Sequence, residues 1–547
     1  LEANDGICNE LLKYPVSKFL ECIDKYEDEG RKSNKPFGEF LANKGILPLY
    51  GMPSNVREFY LGVSEKDELI SVDRDAETAI YEFAPNQTLV VDKQTYQSKG
   101  FVPSLYMPAF GSSIKKQSND KDAWFYEKYE VAKCPECSMM NLKQNNTTFK
   151  CHNCQCILSE SQFRPYVDPT AYISSGDPLN RKEIDELEFQ RFDRVVTLIN
   201  EPTVFKAVNN SNLCIGNSED NGTFVLRLNQ GVNLDSNVFK GFTLFDKEKM
   251  SLSAPKAKYW LEDIKYLSKY DDERLSVGLA TLKKTDGLYL KPQKMDQIFD
   301  FSYLGRSKES IAIRSALISA TQILIQRAAL ELDIAPEEFE QIEPKLIDSL
   351  PVLQICDQLA NGAGFSQKLS EVLDHSGSPL ILKLIESILS DDKDPLGLKF
   401  GASEHKASCL GACYRCIQRY GNRTYHGLLD WRLGLAFLRL LYDSKYKCGL
   451  DGKFQYIEIE SWYDQVEESL INVTMFKPSV YSAPKLVDVS GLKLWSIENM
   501  QNGNKYYVIH PFWSKKYINE LLGLNDTSID FQLINSFEIL HTPQNIF

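Results

Sequence analysis

Cys134-Pro-Glu-Cys137 and Cys151-His-Asn-Cys154 are two CxxC turns separated by thirteen residues, 138 to 150. Each turn presents two thiolates, and two such turns can complete a tetrahedron around zinc. The spacing therefore predicts a zinc ribbon whose four sulfurs leave no open coordination position, so its role would be structural. His152 and Cys156 are spare candidate ligands. Free cysteines or a redox pair are the alternative interpretation. The ribbon could contact nucleic acid, or it could hold together an insertion with too little core of its own.

A second cluster reads His405-Lys-Ala-Ser-Cys409-Leu-Gly-Ala-Cys413-Tyr-Arg-Cys416. Cys413 and Cys416 form one CxxC turn, and His405 and Cys409, four residues apart, can face each other on a helical turn. We predict a second structural zinc site with His405 as the fourth ligand. Cys356 and His426 are competing candidates for that position. A chance group of three cysteines beside an exposed histidine is the alternative.

The residues around the second cluster are locally basic. Six basic residues against two acidic ones (Glu404 and Asp430) give a local balance of +4 between residues 399 and 432. Tyrosines interleaved with arginines offer base-stacking surfaces beside phosphate-pairing groups. The six basic residues are Lys399, Lys406, Arg415, Arg419, Arg423 and Arg432, and the tyrosines are Tyr414, Tyr420 and Tyr425. The predicted DNA-binding residues are Arg415, Arg419, Arg423, Lys399, Lys406 and Tyr420. A solvated or ion-paired basic face is the alternative.

Composition limits the class of protein. The chain has 547 residues and a net charge of −13, whereas a free-standing nucleic-acid binder usually has a basic excess. Thirteen cysteines, an odd number with close pairs, favour metal ligation in a reducing compartment, so we predict a cytoplasmic protein. The most apolar stretch, Ser315 to Leu330, is interrupted by Gln322, Gln326 and Arg327, which argues against a membrane span.

The pattern of elements predicts an α/β (α+β) multidomain fold with a zinc-ribbon insertion and a mostly helical zinc-binding domain. The clearest helix is Ser307 to Leu332, and the clearest hairpin joins Leu492–Ile497 to Tyr506–Ile509 across Asn502-Gly503-Asn504. The predicted regions are a mixed N-terminal region at 1–125, the ribbon at 126–165, a mixed α/β region at 166–305, the helical zinc-binding domain at 306–445 and a β-rich region at 446–547.

These residues resemble a known family. The pattern Cys409, Cys413, Tyr414, Cys416, Tyr420, Asn422, His426, Leu429, Asp430 and Trp431 resembles the zinc-binding domain near the C terminus of mitomycin-repair-type superfamily-two helicases. Further similar pieces are Cys356-Asp357, Asn361 to Phe365, Leu47 to Pro53, Val56-Arg57, Asp73 to Asp75 and Glu82 to Pro85. They span residues 45 to 435, which is most of the chain. Such helicases occur in bacterial antiphage systems of the Druantia and DISARM types.

The resemblance implies an ATP-driven DNA translocase in which this region guides DNA and contacts the motor. It also implies a zinc site made of cysteines alone, unlike the set with His405. The chain has no GxxxxGK[ST] loop and no DExH-type motif, so we identify no catalytic centre in it. The motor domains would lie in the same longer chain or in a partner subunit. Because the sequence opens with Leu1 rather than Met, we expect a fragment of a longer helicase.

Two weaker signals have simpler interpretations. Asn361-Gly-Ala-Gly364 before a helix is typical of a phosphate-binding turn, but it lacks the lysine and the full glycine pattern, so we predict a tight strand-to-helix turn. Glu458, Glu460, Asp488 and Lys493 suggest a metal-dependent nuclease, but alternating acids usually mark the wet face of a strand. The hypotheses are therefore a DNA-guiding helicase region, a zinc-stabilised scaffold that binds protein partners, and a nuclease.

Overall fold

The structure is a computed structural model. It describes residues 55–64, 68–106, 115–116, 124–143, 149–174, 176, 178–185, 194–198, 204–218, 222–231, 241–243, 276–305, 311–372, 377–390, 393–489, 491–523, 531–541 and 543. Residues 1–54 of the predicted N-terminal region, which include the similar piece Leu47 to Pro53, and the expected Ser307 helix start lie outside these ranges. Among the described residues, no helix combines the length and the apolar composition needed to cross a membrane.

The first sheet packs against a group of buried aromatic side chains. Its strands, in spatial order, are β2 (Leu69–Asp75), β1 (Val56–Val63), β12 (Ala171–Ser174), β4 (Gln94–Val102) and β3 (Thr88–Val91). Only the β1–β12 pair is parallel. Helix α1 (Ala76–Glu82) packs on this sheet, where Phe59, Phe83, Phe101 and Tyr172 are buried together. A separate short pair joins β5 (Leu105–Tyr106) to β6 (Lys115–Lys116).

The second sheet carries the zinc-ribbon candidate at its edge. Its order is β13 (Arg194–Leu198), β16 (Thr223–Asn229), β18 (Ser276–Thr285), β11 (Phe163–Pro169), β7 (Phe125–Lys133) and β8 (Met140–Leu142), with β17 (Phe242–Thr243) also paired to β18. The first CxxC turn joins β7 to β8. The second joins β9 (Phe149–Lys150) to β10 (Ile157–Leu158), which pair with each other. The ribbon is therefore an extension of this sheet.

The third sheet supports the helices around the second ligand cluster. Its antiparallel strands are β14 (Lys206–Ala207), β15 (Leu213–Asn217), β19 (Gly287–Pro292), β22 (Leu350–Asp357) and β20 (Phe339–Gln341), with β21 (Lys345–Ile347) paired to β22. The other helices before residue 445 are α2 (Arg181–Asp185), α3 (Ile311–Leu332), α4 (Phe365–Ser370), α5 (Leu380–Ser390), α6 (Pro395–Gly401), α7 (Ser403–Ser408) and α8 (Trp431–Tyr442).

Helix α3 is buried on nearly all sides. The apolar residues Ile313, Leu317, Ala320, Leu324 and Ala328, which recur at helical spacing, are all in the core. Polar residues of α3, including Gln322, are buried as well. A helix that is buried all round belongs in the centre of a large core, and α3 packs there against α8. This pair of helices supports the loop that contains the second cluster.

The close packing of α8 on α3 depends on Gly434. A Cβ atom at this position would lie 2.9 Å from Ile323 Cδ1 and 3.0 Å from the backbone nitrogen of Ala320. Gly434→Ala should therefore lower the free energy of unfolding by about 1–3 kcal/mol, because the added methyl group would force the backbone of α3 to move. Chemical denaturation measures this change. Gly427→Ala is the control, since nothing lies within 4 Å of its added Cβ. Equal stability of the two variants would contradict the packing described.

The C-terminal part shares the same core. Its sheet has the order β23 (Lys485–Val489), β24 (Leu492–Glu498), β25 (Lys505–Ile509) and β26 (Phe531–Asn535), accompanied by α9 (Trp462–Phe476), α10 (Lys515–Leu521) and α11 (Ser536–His541). The predicted hairpin is confirmed. The strand-only interpretation of this part missed α9, whose buried Trp462, Val466, Leu470 and Val473 recur at helical spacing. Trp462 and Trp513 belong to the cluster that buries α3 and α8.

These sheets and helices confirm the predicted mixed α/β multidomain class. The boundaries of the five regions stay predictions. The core of α3 and α8 continues past residue 446 without a break, so the helical and C-terminal parts are held together by shared buried surface.

Candidate metal centres and nucleic-acid surface

The two CxxC turns of the ribbon bring four thiols together. The Sγ atoms of Cys134, Cys137, Cys151 and Cys154 all lie within 4.8 Å of one another. Cys134 Sγ is 3.4 Å from Cys154 Sγ, and Cys137 Sγ is 3.5 Å from Cys151 Sγ. Four sulfurs at zinc–sulfur distances of about 2.3 Å would be separated by about 3.8 Å in a tetrahedron. The arrangement therefore fits a tetrahedral metal ion of this size.

Each CxxC turn is closed by its own backbone. In the first turn, the N–H of Ser138 donates to the carbonyl of Cys134 (3.0 Å), and the N–H of Cys134 donates to the carbonyl of Met139 (2.9 Å). The second turn repeats the pattern with Gln155, Cys151 and Cys156. Ser138 and Gln155 both adopt a positive φ, 62° and 61°. The two turns thus have the same backbone form and point their thiols at a common centre.

Asn153, inside the second CxxC turn, joins the ribbon to the rest of the protein. Its buried Nδ2 donates to the carbonyl of Leu304 (2.9 Å), and its Oδ1 accepts the N–H of Leu346 in β21 (2.7 Å). A Cβ atom added at Gly305 would lie 3.4 Å from Cys154 Cβ. The ribbon is therefore anchored on the core, and no sequence signal distinguished this asparagine from any other inner residue of a CxxC turn.

The second cluster also converges. His405 on α7 joins Cys409, Cys413 and Cys416, and their ligand atoms all lie within 4.8 Å of one another. Cys413 Sγ is 3.6 Å from His405 Nε2 and 3.7 Å from Cys416 Sγ. The structure places His405 in this group rather than the competitors. Cys356 lies in strand β22, and His426 Nε2 faces the carbonyl of Arg419 and Asn422 Oδ1.

In each group, the pKa of one thiol is well below its usual value. A hydrogen bond from Cys137 lowers the pKa of Cys151 to about 4, and the same bond raises the pKa of Cys137. In the second group, a hydrogen bond from Cys409 lowers the pKa of Cys416 to about 5 and raises that of Cys409. Thiolate is the form that binds metal, so a metal ion that binds both sulfurs of a pair would displace the proton they share.

The second group is enclosed by aromatic side chains and a buried arginine. Trp431 stacks on Phe400 with ring centroids 5.2 Å apart and lies 5.5 Å from the ring of His405. Arg432 Nη1 donates to the carbonyls of Cys409 (2.9 Å) and Leu410 (3.0 Å). Arg432 is only 6% exposed. The expectation that Arg432 belongs to a basic surface was wrong, because its guanidinium is buried and hydrogen-bonded to the loop that carries the ligands.

A buried amide pair positions the loop after the ligands. Asn422 Nδ2 donates to Gln322 Oε1 on α3 (2.8 Å) and to the carbonyl of Ile417 (2.9 Å). Its Oδ1 accepts the N–H of Arg419 (2.8 Å). The loop continues as a 3-10 helix over Tyr420–Leu428. The contact with Gln322 spans 100 residues in sequence, so sequence reasoning did not find it.

Some of the tyrosines and basic residues near the second cluster, including members of the predicted DNA-binding set, lie on the surface. Tyr414 is 69% exposed and Tyr420 is 77% exposed. The Arg423 guanidinium lies 5.0 Å from the centroid of the Tyr420 ring and donates to its hydroxyl (3.2 Å). Lys399 is exposed on α6. Tyr420, Arg423 and Lys399 of the predicted DNA-binding set are therefore exposed, as is Tyr414.

The other predicted basic residues are paired with acids. Arg415 lies 3.1 Å from Glu404, although both are well exposed. Lys406 pairs with Glu460 (2.6 Å). Arg419 pairs with Glu337 (2.9 Å) and also donates to Gln322. Tyr425 is half-buried and packs against the core. Glu460 and Glu337, which lie outside residues 399–432, therefore reduce the local excess of positive charge.

The weaker signals are accounted for by internal contacts. Asp357 accepts the N–H groups of Ala363 (2.8 Å) and Phe365 (3.0 Å), so the glycine-containing turn is occupied by the protein's own carboxylate. The strand-to-helix interpretation of this turn is confirmed. Of the nuclease candidates, Glu458 pairs with Arg439 and Asp488 lies opposite Lys493 in the β23–β24 ladder.

The fold and the two groups define a multidomain mixed α/β protein with two sets of thiol and imidazole side chains that could hold metal ions. No protein-family model matches the chain. The chain is similar to the Druantia protein DruE of Escherichia coli (strain UMEA 4076-1), with 24% identity over 452 residues. The match covers 75% of this chain and 22% of DruE, so the chain corresponds to less than a quarter of that protein's length. This homology bears out the resemblance to proteins of Druantia systems that the motifs indicated.

Among solved structures, the chain is similar to the crystal structure of the DUF1998 helicase MrfA bound to DNA. The TM-score is 0.34 with 9% sequence identity, over 71% of this chain and 33% of that chain. A TM-score this low does not establish a common fold.

Proposed function

We propose that this chain is a DNA-engaging, helicase-associated region of a bacterial antiphage system of the Druantia type. It acts in the cytoplasm with motor domains that belong to the same longer chain or to a partner subunit. The homology to DruE supports the assignment to a Druantia-type system. The observation that carries the DNA role is the exposed surface of Tyr414, Tyr420 and Arg423 beside the second ligand group.

In this proposal both groups bind zinc and both sites are structural. The first would use Cys134, Cys137, Cys151 and Cys154, and the second His405, Cys409, Cys413 and Cys416. Four protein ligands leave no position for a water or a substrate, so zinc would contribute folding free energy rather than catalysis. The ligand geometry supports tetrahedral coordination at both.

The second zinc would hold the DNA-binding surface in shape. Tyr414 and Arg415 lie between the ligands Cys413 and Cys416, so their backbone is fixed once both sulfurs are bound. Tyr420 begins the 3-10 helix that the hydrogen bond between Asn422 and Gln322 holds against α3. Exposed rings stack on bases, and guanidinium groups pair with phosphates. The exposed arginines and Lys399 would supply the phosphate contacts.

A scaffold that binds protein partners is the second candidate function. The net charge of −13 favours it, and so do the ion pairs that occupy Arg415, Lys406 and Arg419. A scaffold would show almost no DNA affinity at any salt concentration. Direct binding measurements therefore separate the two functions.

The test is DNA binding by the full chain across a salt series, comparing Arg415→Ala/Arg423→Ala with the unmodified protein. If both arginines contact phosphates, the slope of log affinity against log salt should become shallower by about 1.4–1.8. Zinc content should not change, because neither residue is a ligand. Lys505→Ala/Lys516→Ala, two exposed lysines of the C-terminal part, is the charge-matched control and should retain the original slope. If the arginine variant binds DNA as the unmodified protein does, the DNA-binding surface lies elsewhere on the chain.

A further inference from the structure

A fifth sulfur lies against the ribbon group. Cys156 Sγ is 3.5 Å from Cys134 Sγ, nearly the same as the 3.4 Å between Cys154 and Cys134. Cys154 and Cys156 therefore both flank the same buried sulfur. Both are only partly buried, whereas Cys134 and Cys151 are buried. The more accessible ligand of the site thus has a second thiol beside it.

The backbone keeps Cys156 in this position. Its carbonyl accepts the N–H of Cys151 (2.8 Å), which is the hydrogen bond that closes the second CxxC turn. Between Cys154 and Cys156, Gln155 has a φ of 61°, and this left-handed residue turns the chain back toward the site. Strand β10 then begins at Ile157. The position of the fifth thiol is therefore part of the turn itself.

We propose that Cys156 is an alternative ligand of the ribbon site that replaces Cys154. This inference rests on the proposed zinc site of the ribbon. In the exchange, the zinc–sulfur bond to Cys154 breaks and its thiolate takes up a proton. The thiol of Cys156 releases a proton and forms the new zinc–sulfur bond, so charge and coordination number are conserved and no redox step occurs. Cys134, Cys137 and Cys151 remain bound throughout.

The exchange gives the ribbon a way to retain zinc when Cys154 is blocked. If the sulfur of Cys154 were lost, three ligands would remain, and Cys156 would then restore four sulfurs. Cys137 offers the contrast, because it is also partly buried and the sulfurs that it contacts among the described residues, those of Cys151 and Cys154, belong to its own group. Loss of Cys137 should therefore not be compensated.

The test measures zinc per chain in the full protein for Cys154→Ala, Cys156→Ala, the double variant and Cys137→Ala. We expect two zinc ions in both single variants of the pair, but one in the double variant and one in Cys137→Ala. Cobalt substitution should show the charge-transfer intensity of a full sulfur set in Cys154→Ala. A fall to one zinc in Cys154→Ala, equal to Cys137→Ala, would overturn the exchange.

A second measurement avoids any loss of folding. Cys156→Ala keeps all four primary ligands, so zinc transfer to a chromophoric chelator can be timed in the folded protein. We expect the ribbon zinc to leave faster than in the unmodified chain, and equal rates would contradict the proposal. If the unmodified chain holds no zinc, or Cys137→Ala and the double variant both keep the zinc content of the unmodified chain, the ribbon zinc site itself is wrong, which is a different failure.

Discussion

Cys416→Ser should reduce the zinc content of the chain from two ions to one and lower its stability by more than about 4 kcal/mol. The reason is the position of the second group. Its ligands lie against Trp431, the first residue of α8, and α8 packs on the buried helix α3. Loss of zinc would leave buried thiols and an imidazole without their partner in the largest core of the protein. Metal analysis and denaturant unfolding measure both effects.

The same variant should lose the proposed DNA affinity, because Tyr414 and Arg415 lie between two ligands. Cys214→Ser is the matched control, since Cys214 is a half-buried cysteine on β15 outside both groups. The control should retain two zinc ions and the original unfolding curve. A Cys416→Ser protein that keeps both zinc ions would show that the second group is not a metal site.

Cys137→Ser should also remove one zinc ion, but with a different pattern of consequences. The ribbon extends from the edge of the second sheet, and loss of its metal should unfold residues 134–158 because structural zinc supplies folding free energy directly. The hydrogen bonds of Asn153 with the backbone of Leu304 and Leu346 would then be lost, so the midpoint of the main unfolding transition should fall as well. Thermal unfolding and limited proteolysis of the ribbon measure the two effects.

DNA affinity distinguishes the roles of the two sites. If the ribbon only holds its own segment together, Cys137→Ser should bind DNA as the unmodified chain does. A strong loss of affinity would instead indicate that the ribbon contacts DNA. An unchanged melting profile together with two bound zinc ions would contradict the ribbon site.

The sequence contained enough information to predict the local parts of this structure. The ligand groups follow from cysteine and histidine spacing, because residues three or four positions apart are brought together by a single turn. The apolar spacing of α3 and the Asn-Gly-Asn turn of the C-terminal hairpin are equally local signals. Helix α9 was missed because its aromatic and β-branched residues resemble those of strands.

The surface charge could not be predicted in the same way. Arg419 pairs with Glu337, 82 residues away, and Lys406 pairs with Glu460, 54 residues away. Arg432 is turned inward to the carbonyls of the ligand loop. Such contacts depend on tertiary structure, so a run of basic residues in sequence overstates the positive surface that remains in the folded protein.

The central claim is that both ligand groups close around zinc, and metal analysis combined with X-ray absorption at the zinc edge tests it most directly. We expect two zinc ions per folded chain, with mainly sulfur ligands at about 2.3 Å and a minority of nitrogen at about 2.0–2.1 Å. A well-folded preparation whose cysteines are reduced and free of metal would contradict the account.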